Sequence, residues 1–157
     1  MSGVFGVINT SGNIADVAKS AFYGIFSLQH RGQESAGIAV NNNGSFMVHK
    51  GMGHVTEVFD EFTLRALEGS CAIGHARSGD GITGVEGIQP INIKSRVGSI
   101  ALSSDAVILN GEEIRENLKY MGAIFQTNTD SETILSLFSR NRVVTDTTED
   151  AILRTMK

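Results

Sequence analysis

The sequence predicts an α+β fold in which antiparallel sheets are covered by helices. Short apolar runs bounded by turn residues are typical of strands, and two of them, residues 36–40 and 45–50, are separated by Asn41-Asn42-Asn43-Gly44, a hairpin signal. Other segments repeat apolar residues at helical spacing. Hairpins mixed with helices favour antiparallel sheets over alternating strand–helix–strand units.

The first half of the chain is predicted to contain strands and helices in turn. Residues 4–8 form a short apolar run flanked by glycines, which indicates a buried strand. A helix should follow, because Asn13 can cap it and apolar side chains repeat along one face of residues 14–26. Residues 56–68 resemble one or two short helical pieces over the core, and the strand pattern returns at residues 71–75.

The second half begins with a loop and ends in helices. The glycine-rich stretch 79–87 is predicted to be a loop over a site, and residues 97–102 and 123–127 are predicted to be strands. Three helices follow residues whose side chains can cap them: 111–121 after Asn110, 131–140 after Thr129 or Asp130, and a last one after Thr147. In the first helix, Glu113 has capping-box spacing and Gly122 provides a left-handed stop.

Composition excludes several classes of function. The net charge of −4 is spread over both signs, so no positive face is built, and we expect neither a nucleic-acid nor a membrane partner. No apolar run approaches the length of about 18 residues that a membrane span needs, and no signal-peptide pattern is seen, which predicts a cytoplasmic protein. Because Cys71 is alone and the four histidines lack ligand spacing, we expect no disulfide, no metal site and no cofactor.

Six segments carry a resemblance to a known family. They are GVFGV at residues 3–7, LQHRGQESAGIA at 28–39, IGHAR at 73–77, QP at 89–90, NGEEIRENL at 110–118 and FQTNTDSE at 125–132. Together they resemble the N-terminal glutaminase domain of amidophosphoribosyltransferases, which is a class II glutamine amidotransferase domain. The resemblance covers essentially the whole chain, and the second segment is long and specific.

The resemblance implies an N-terminal-nucleophile (Ntn-hydrolase-like) fold, an αββα sandwich of two antiparallel sheets between helical layers. It also implies one domain over residues 1–157, and no counterpart of the family's phosphoribosyltransferase domain is found in this sequence. In the family the glutaminase domain continues beyond the helix that follows Thr147. We therefore expect sheets that are incomplete at the C-terminus, with open edges that favour a homo-oligomer or capture by a partner protein.

The residues at the family's catalytic positions differ from the family pattern. By resemblance the nucleophile is Ser2, which lacks the ready thiolate of cysteine and whose amine is free to act as a base only after removal of Met1. The family's oxyanion hole uses an Asn and a Gly, and these positions are Asp105 and Ala106 here. An ionised Asp105 offers only acceptors where a donor is needed. We therefore expect the glutaminase chemistry to be lost.

Three further positions match the family and imply amino-acid binding. Arg77 would pair with the α-carboxylate of glutamine, Asp130 would hold its α-ammonium group, and Arg31 would support the N-terminal strand. From the residues alone, a structural salt bridge explains Arg77 equally well. A helix cap is the favoured explanation of Asp130.

Three functions remain open at this point. The first is a non-catalytic binding, regulatory or assembly module whose ligand is glutamine or a related amino acid. The second is an active glutaminase that hydrolyses glutamine to glutamate with Ser2 and supplies ammonia to a partner. The third is a purely structural subunit. Release of glutamate distinguishes the second from the others, and a thermal shift with glutamine distinguishes the first from the third.

Overall fold

A four-stranded antiparallel sheet forms one layer of the fold. In the computed structural model, which describes residues 1–11, 16–79 and 84–157, the strand order of this sheet is β1-β4-β2-β3. The strands are β1 (Gly3–Ile8), β2 (Ser35–Asn42), β3 (Ser45–Met52) and β4 (Cys71–Arg77). The predicted strands and the hairpin are therefore confirmed. The hairpin turns at Asn43 and Gly44, whose φ angles of 50° and 88° suit the right-handed twist of the two strands.

A second sheet consists of β5 (Ile91–Ser95) and β6 (Gly98–Leu102), which pair antiparallel. Within the part of the chain that the structure describes, each of these two strands pairs only with the other. The sequence predicted β6 but missed β5. Apolar and polar residues alternate in β5, Ile91-Asn92-Ile93-Lys94-Ser95, and this pattern could have predicted the strand.

Six α-helices are described, and the longer ones lie on the two outer faces. They are α1 (Val17–Ser27), α2 (Val55–Val58), α3 (Glu61–Ala66), α4 (Gly111–Tyr120), α5 (Asp130–Val143) and α6 (Thr148–Thr155). Helix α1 packs against β1, β2 and β4 of the first sheet, whereas α5 packs against β5 and β6 of the second. The predicted αββα arrangement is confirmed. Among the described residues, no helix is long and apolar enough to cross a membrane.

The core lies between α1 and the first sheet. Helix α1 buries one apolar stripe, which consists of Val17, Ala18, Ala21 and Ile25. The methyl groups of Ile25 lie so close to Gly74 of β4 that a Cβ there would be 2.6 Å away. Since successive residues of a strand face opposite sides, His75 points away from α1, toward Ser104. Strand β4 thus separates the apolar core from a polar interior.

Capping residues set the helix boundaries, and one prediction about them was wrong. Thr129 and Thr147 cap α5 and α6, since their side chains accept hydrogen bonds from the backbone N–H groups three residues on. Asp16 caps α1 in the same way, and the predicted cap Asn13 lies outside the described residues. Asn110 precedes α4 without a side-chain capping bond, so the predicted capping box with Glu113 is not formed.

The predicted strand at residues 123–127 was also wrong, because this segment is a loop. Gly122, with a φ of 91°, ends α4 as predicted, and the N–H of Ala123 donates to the carbonyl of Leu118. The N–H groups of Gln126 and Thr127 donate to the carboxylate of Glu132 instead of to a neighbouring strand. In the predicted loop 79–87, residues 80–83 are outside the described part, and Val85–Gly87 form a short 3-10 turn.

Candidate active site

Ser2 lies at the start of β1, beside the end of β4. The register of the two strands pairs Gly3 with Ala76, and one step further it brings Ser2 opposite Arg77. The Ser2 hydroxyl accepts a hydrogen bond from the N–H of Ser78 at 3.4 Å, and its carbonyl accepts one from Nε of Arg31 at 3.0 Å. The position that the sequence identifies as the nucleophile is therefore held from two sides.

Arg31 reaches Ser2 because a tight loop carries it there. The loop follows α1, and its Gly32 lies so close to the carbonyl of Ala76 that any Cβ would overlap it. Besides the carbonyl of Ser2, the Arg31 guanidinium contacts the carboxylate of Asp105, with Nη2 3.5 Å from Oδ2. A glycine in this loop is thus required for the two contacts of Arg31.

A cleft of about 360 Å3 opens between these residues. It is lined by Ser2, Gly3, Val4, Leu28, Arg31 and Asp105, and we call it the Ser2 cleft. The side chains of Arg31 and Asp105 are 41% and 35% exposed, so their ion pair is screened by water and adds little stability. The ion pair matters instead for the electrostatics of the cleft. Asp105, at the predicted oxyanion position, already has the cation Arg31 as its neighbour.

Asp105 and Ala106 stand on a segment whose start is firmly anchored. The N–H of Ser104 donates to Oε1 of Gln89 at 2.7 Å, and the carbonyl of Ser104 accepts from Nε2 of Gln89 at 3.1 Å. The Ser104 hydroxyl also lies 2.7 Å from that of Ser131 in α5. Because Ser104 is fixed in this way, Asp105 is presented at the mouth of the cleft. In the sequence Gln89 stands out only as part of a matching motif, and no local pattern predicts this anchoring role.

His75 belongs to the same anchor. Its Nε2 lies 3.2 Å from the carbonyl of Ser104, so Nε2 carries the proton and donates. Burial lowers the pKa of His75 to about 4, and the hydrogen bond to Ser104 and the charge of Asp105 oppose this shift only in part. His75 is therefore neutral at physiological pH. Its burial and this hydrogen bond make it a packing and hydrogen-bonding residue.

The two residues predicted to bind the ends of an amino acid lie at different places. Arg77 is buried, and its Nε is 3.8 Å from Oε2 of Glu34, which agrees with the structural salt bridge that the sequence left open. Asp130 is the first residue of α5, and its carboxylate accepts a hydrogen bond from the N–H of Ile108 at 2.9 Å. Neither residue is among those that line the Ser2 cleft.

Near Asp130, the start of α5 carries a polar network around Glu132 that the sequence did not reveal. The buried carboxylate of Glu132 accepts hydrogen bonds from Gln126 and Thr127, and it lies 3.6 Å from Nη2 of Arg115. The guanidinium of Arg115 lies 4.0 Å above the ring of Phe125. On the other side of Asp130, a Cβ on Gly111 would be 2.9 Å from its Oδ1. The carboxylate of Asp130 is therefore held by the segment at the start of α4, which supplies the N–H of Ile108 and the close approach of Gly111.

No group of three or more potential metal ligands comes together among residues 1–11, 16–79 and 84–157. The functional groups that line the Ser2 cleft are the hydroxyl of Ser2, the guanidinium of Arg31 and the carboxylate of Asp105. A strand that begins at a candidate nucleophile, within two antiparallel sheets covered by helices, defines an amidotransferase domain of the N-terminal-nucleophile class.

Comparisons with known proteins specify the family. The model of a glutamine amidotransferase domain matches residues 75–152. The amidophosphoribosyltransferase of Methanocaldococcus jannaschii is 42% identical over 158 residues, which is 100% of this chain and 33% of the relative. That of Bacillus subtilis is 38% identical over 143 residues, which is 88% of this chain and 29% of the relative. The chain thus spans about a third of the length of these relatives.

Solved structures agree with the sequence matches. A structure described as the allosteric regulatory enzyme of purine biosynthesis has a TM-score of 0.86 and 35% identity over 98% of this chain and 32% of that one. The glutamine phosphoribosylpyrophosphate amidotransferase of Bacillus subtilis, complexed with ADP and GMP, has a TM-score of 0.80 and 34% identity over 99% of this chain. This chain belongs to the glutamine amidotransferase domain family, as a homologue of the glutaminase domain of amidophosphoribosyltransferases.

Proposed function

We propose that this domain binds glutamine or a related amino acid without hydrolysing it, and that it acts as a binding, regulatory or assembly module. The observation that supports the proposal most directly is the contact of Asp105 with Arg31 at the Ser2 cleft. In the family this position supplies a hydrogen-bond donor to the developing oxyanion. The carboxylate oxygens of Asp105 accept hydrogen bonds and cannot supply that donor.

The cost of this change can be given as an order of magnitude. Removal of one oxyanion-hole donor typically lowers the rate by a factor of about 100 to 1,000. Asp105 replaces the donor with a negative charge, which repels the oxyanion, so the loss should exceed this range. Arg31 offsets part of that repulsion, but its guanidinium is shared with the carbonyl of Ser2.

The nucleophile adds a second, independent loss. While Met1 is present, the nitrogen of Ser2 belongs to a peptide bond and cannot act as a base. A free α-amine has a pKa of about 8 and could do so. Even then, a serine hydroxyl depends wholly on that base, whereas cysteine provides a thiolate more readily.

Arg77 and Asp130 are the groups that we assign to the ligand in this proposal. Arg77 would face the α-carboxylate and Asp130 the α-ammonium group of a glutamine-like amino acid. Their support is a match to the family's positions together with the hydrogen bond from Ile108 that holds the carboxylate of Asp130. The domain would then retain recognition of the non-reacting end of glutamine after losing the chemistry at its amide.

The alternative function is an active glutaminase that releases ammonia to a partner and uses Ser2 after removal of Met1. One observation favours it, namely that Ser2 is still held by Arg31 and Ser78 at an open cleft. Calorimetry with glutamine combined with an assay for glutamate distinguishes the two functions. Binding without release of glutamate supports the proposed module, and glutamate release that depends on Ser2 supports the alternative.

The location and the partners are part of the same proposal. A cytoplasmic location is supported by Cys71, which forms no disulfide. Association with a second copy is supported by β5 and β6, which have no further strand partner within the described residues. It is also supported by the apolar groove beside β6, which has a volume of about 520 Å3.

A further inference from the structure

A cleft of about 560 Å3 runs along β5, and we call it the β5 cleft. One wall is formed by β5 and the turn after it, the opposite wall by α5, and the end by residues 121–127. None of the site residues Ser2, Arg31, Arg77, Asp105 and Asp130 lines it. Its volume is within the range of about 300 to 1,000 Å3 that is typical of small-molecule sites.

Three basic side chains without partners line this cleft. Lys94 and Arg96 come from the β5 side and Arg140 comes from α5. Within the part of the chain that the structure describes, none of the three has a hydrogen-bond acceptor or an acidic partner. A cleft whose lining has an excess of charges of one sign attracts ligands of the opposite charge.

The remaining charged groups of the lining do not neutralise these cations. The carboxylate of Glu132 is occupied by Arg115 and by the N–H groups of Gln126 and Thr127. Lys50 donates to the backbone carbonyls of Ile88 and Pro90, and burial lowers its pKa. Glu86 is the only other acid in the lining that the structure describes. The cleft is therefore positive in a chain whose net charge is −4.

The arrangement suits a compact anion with several oxygens. Ser136 and Arg140 are four residues apart on α5, and neighbours at this spacing lie on one helical face. Their hydroxyl and guanidinium donors therefore face the same space as Lys94. A guanidinium fork matches two oxygens of a phosphate group at once, which a single ammonium group cannot do.

We propose that the β5 cleft binds a phosphate-bearing small molecule through Arg140, Lys94 and Arg96. The bounded shape of the cleft favours a small ligand. A nucleic acid would require a continuous positive face, which the charge distribution of the chain does not provide. The β5 cleft shares no residue with the proposed glutamine site. This proposal therefore does not depend on the function proposed for the Ser2 cleft.

Calorimetric titration with inorganic pyrophosphate tests the proposal, with succinate as a dianion that lacks phosphate oxygens. We expect pyrophosphate to bind and succinate to bind at least about tenfold more weakly. Arg140→Gln and Lys94→Gln should each weaken pyrophosphate binding about tenfold or more, because each removes a charge-assisted hydrogen bond. The matched control is Arg154→Gln, which removes one exposed charge from α6 outside the cleft and should change the affinity less than twofold.

Three results would overturn the proposal. They are no pyrophosphate binding at millimolar concentration, succinate binding as tight as pyrophosphate binding, and equal weakening by Arg140→Gln and Arg154→Gln, which would indicate a net-charge effect only. Arg140, Lys94 and Arg154 are exposed, so these variants should fold. Circular dichroism spectra that superpose on that of the unmodified chain verify this.

Discussion

The guanidinium of Arg31 lies 3.5 Å from the carboxylate of Asp105 at the mouth of the Ser2 cleft, although the two residues are 74 positions apart in the chain. The same guanidinium donates to the carbonyl of Ser2. One cation thus joins the predicted nucleophile, Ser2, to the predicted oxyanion position, Asp105. The ion pair is partly exposed, so it affects the chemistry of the cleft much more than the stability of the fold.

The first prediction concerns the stability of an Asp105→Asn variant. Because an exposed ion pair contributes at most about 1 kcal/mol, this change should alter the free energy of unfolding by less than that amount. Urea denaturation followed by circular dichroism measures it. A loss of several kcal/mol would show that the pair holds the fold together, contrary to its exposed position. The Asp105→Asn variant, which places an amide side chain at the predicted oxyanion position, should therefore be folded and suitable for assays.

The second prediction concerns amino-acid recognition. Arg77→Lys keeps the charge but loses the bidentate fork, and Asp130→Asn removes the negative charge, so each should weaken glutamine binding about tenfold or more. Isothermal titration calorimetry measures the affinity. Arg65→Ala, on the exposed surface of α3, is the control and should leave binding unchanged.

Glu34→Gln separates a ligand role of Arg77 from a structural one. It removes the acidic partner of Arg77 and leaves the guanidinium in place. If Arg77 binds the ligand, this variant should retain most of the affinity. If Glu34→Gln and Arg77→Lys abolish binding equally, the salt bridge is structural and our assignment of Arg77 fails.

The third prediction concerns pH. Burial holds the pKa of His75 near 4, whereas it is about 6.5 in an unfolded chain. Between these values the unfolded state binds more protons than the folded state, so stability falls as the pH falls through this window. From pH 7.5 to 5, His75 should account for a loss of about 2 kcal/mol.

Urea denaturation at both pH values, on the unmodified chain and on His75→Asn, isolates this contribution. The variant is expected to be less stable at pH 7.5, since the bond to Ser104 is weakened, but its stability should depend less on pH. A pH dependence that is the same in both proteins would contradict the assignment of a neutral, buried His75.

The fourth prediction concerns self-association. The apolar groove beside β6 is lined by side chains of α5 and α6, and Ile152 in this lining is 45% exposed. Static light scattering at low micromolar concentration should give a mass above that of one chain. Ile152→Lys should reduce the mass, whereas Phe62→Lys, a control on an exposed side chain of α3, should not. A monomer whose β6 amides resist hydrogen exchange would contradict the prediction.

The sequence predicted the features that depend on local patterns. The β2–β3 hairpin follows from Asn43 and Gly44, and the caps of α5 and α6 follow from Thr129 and Thr147. The family resemblance supplied the layered arrangement of the sheets. A few neighbouring residues are enough to predict the hairpin and the helix caps. The layered arrangement could be predicted because the matching motif is long and specific.

Several features that the sequence missed depend on side-chain partners that no local pattern identifies. Residues 123–127 have the composition of a strand, but the N–H groups of Gln126 and Thr127 donate to Glu132 instead of to a neighbouring strand. The ion pair of Arg31 with Asp105 and the anchoring of Ser104 by Gln89 likewise join parts of the chain that only the folded structure brings together. The sequence identified Arg31, Asp105 and Gln89 as residues of interest, but it did not show which residues they contact.

The most direct test of the proposed function is a glutamate-release assay on the chain with Met1 removed, which gives Ser2 its best opportunity to react. We predict no glutamine hydrolysis above a buffer control. The triple variant Ser2→Cys, Asp105→Asn, Ala106→Gly should regain weak turnover, whereas each single change should not, because the nucleophile and the oxyanion hole act as a unit. Glutamine turnover by the unmodified residues that disappears in Ser2→Ala would contradict the account and establish an active glutaminase.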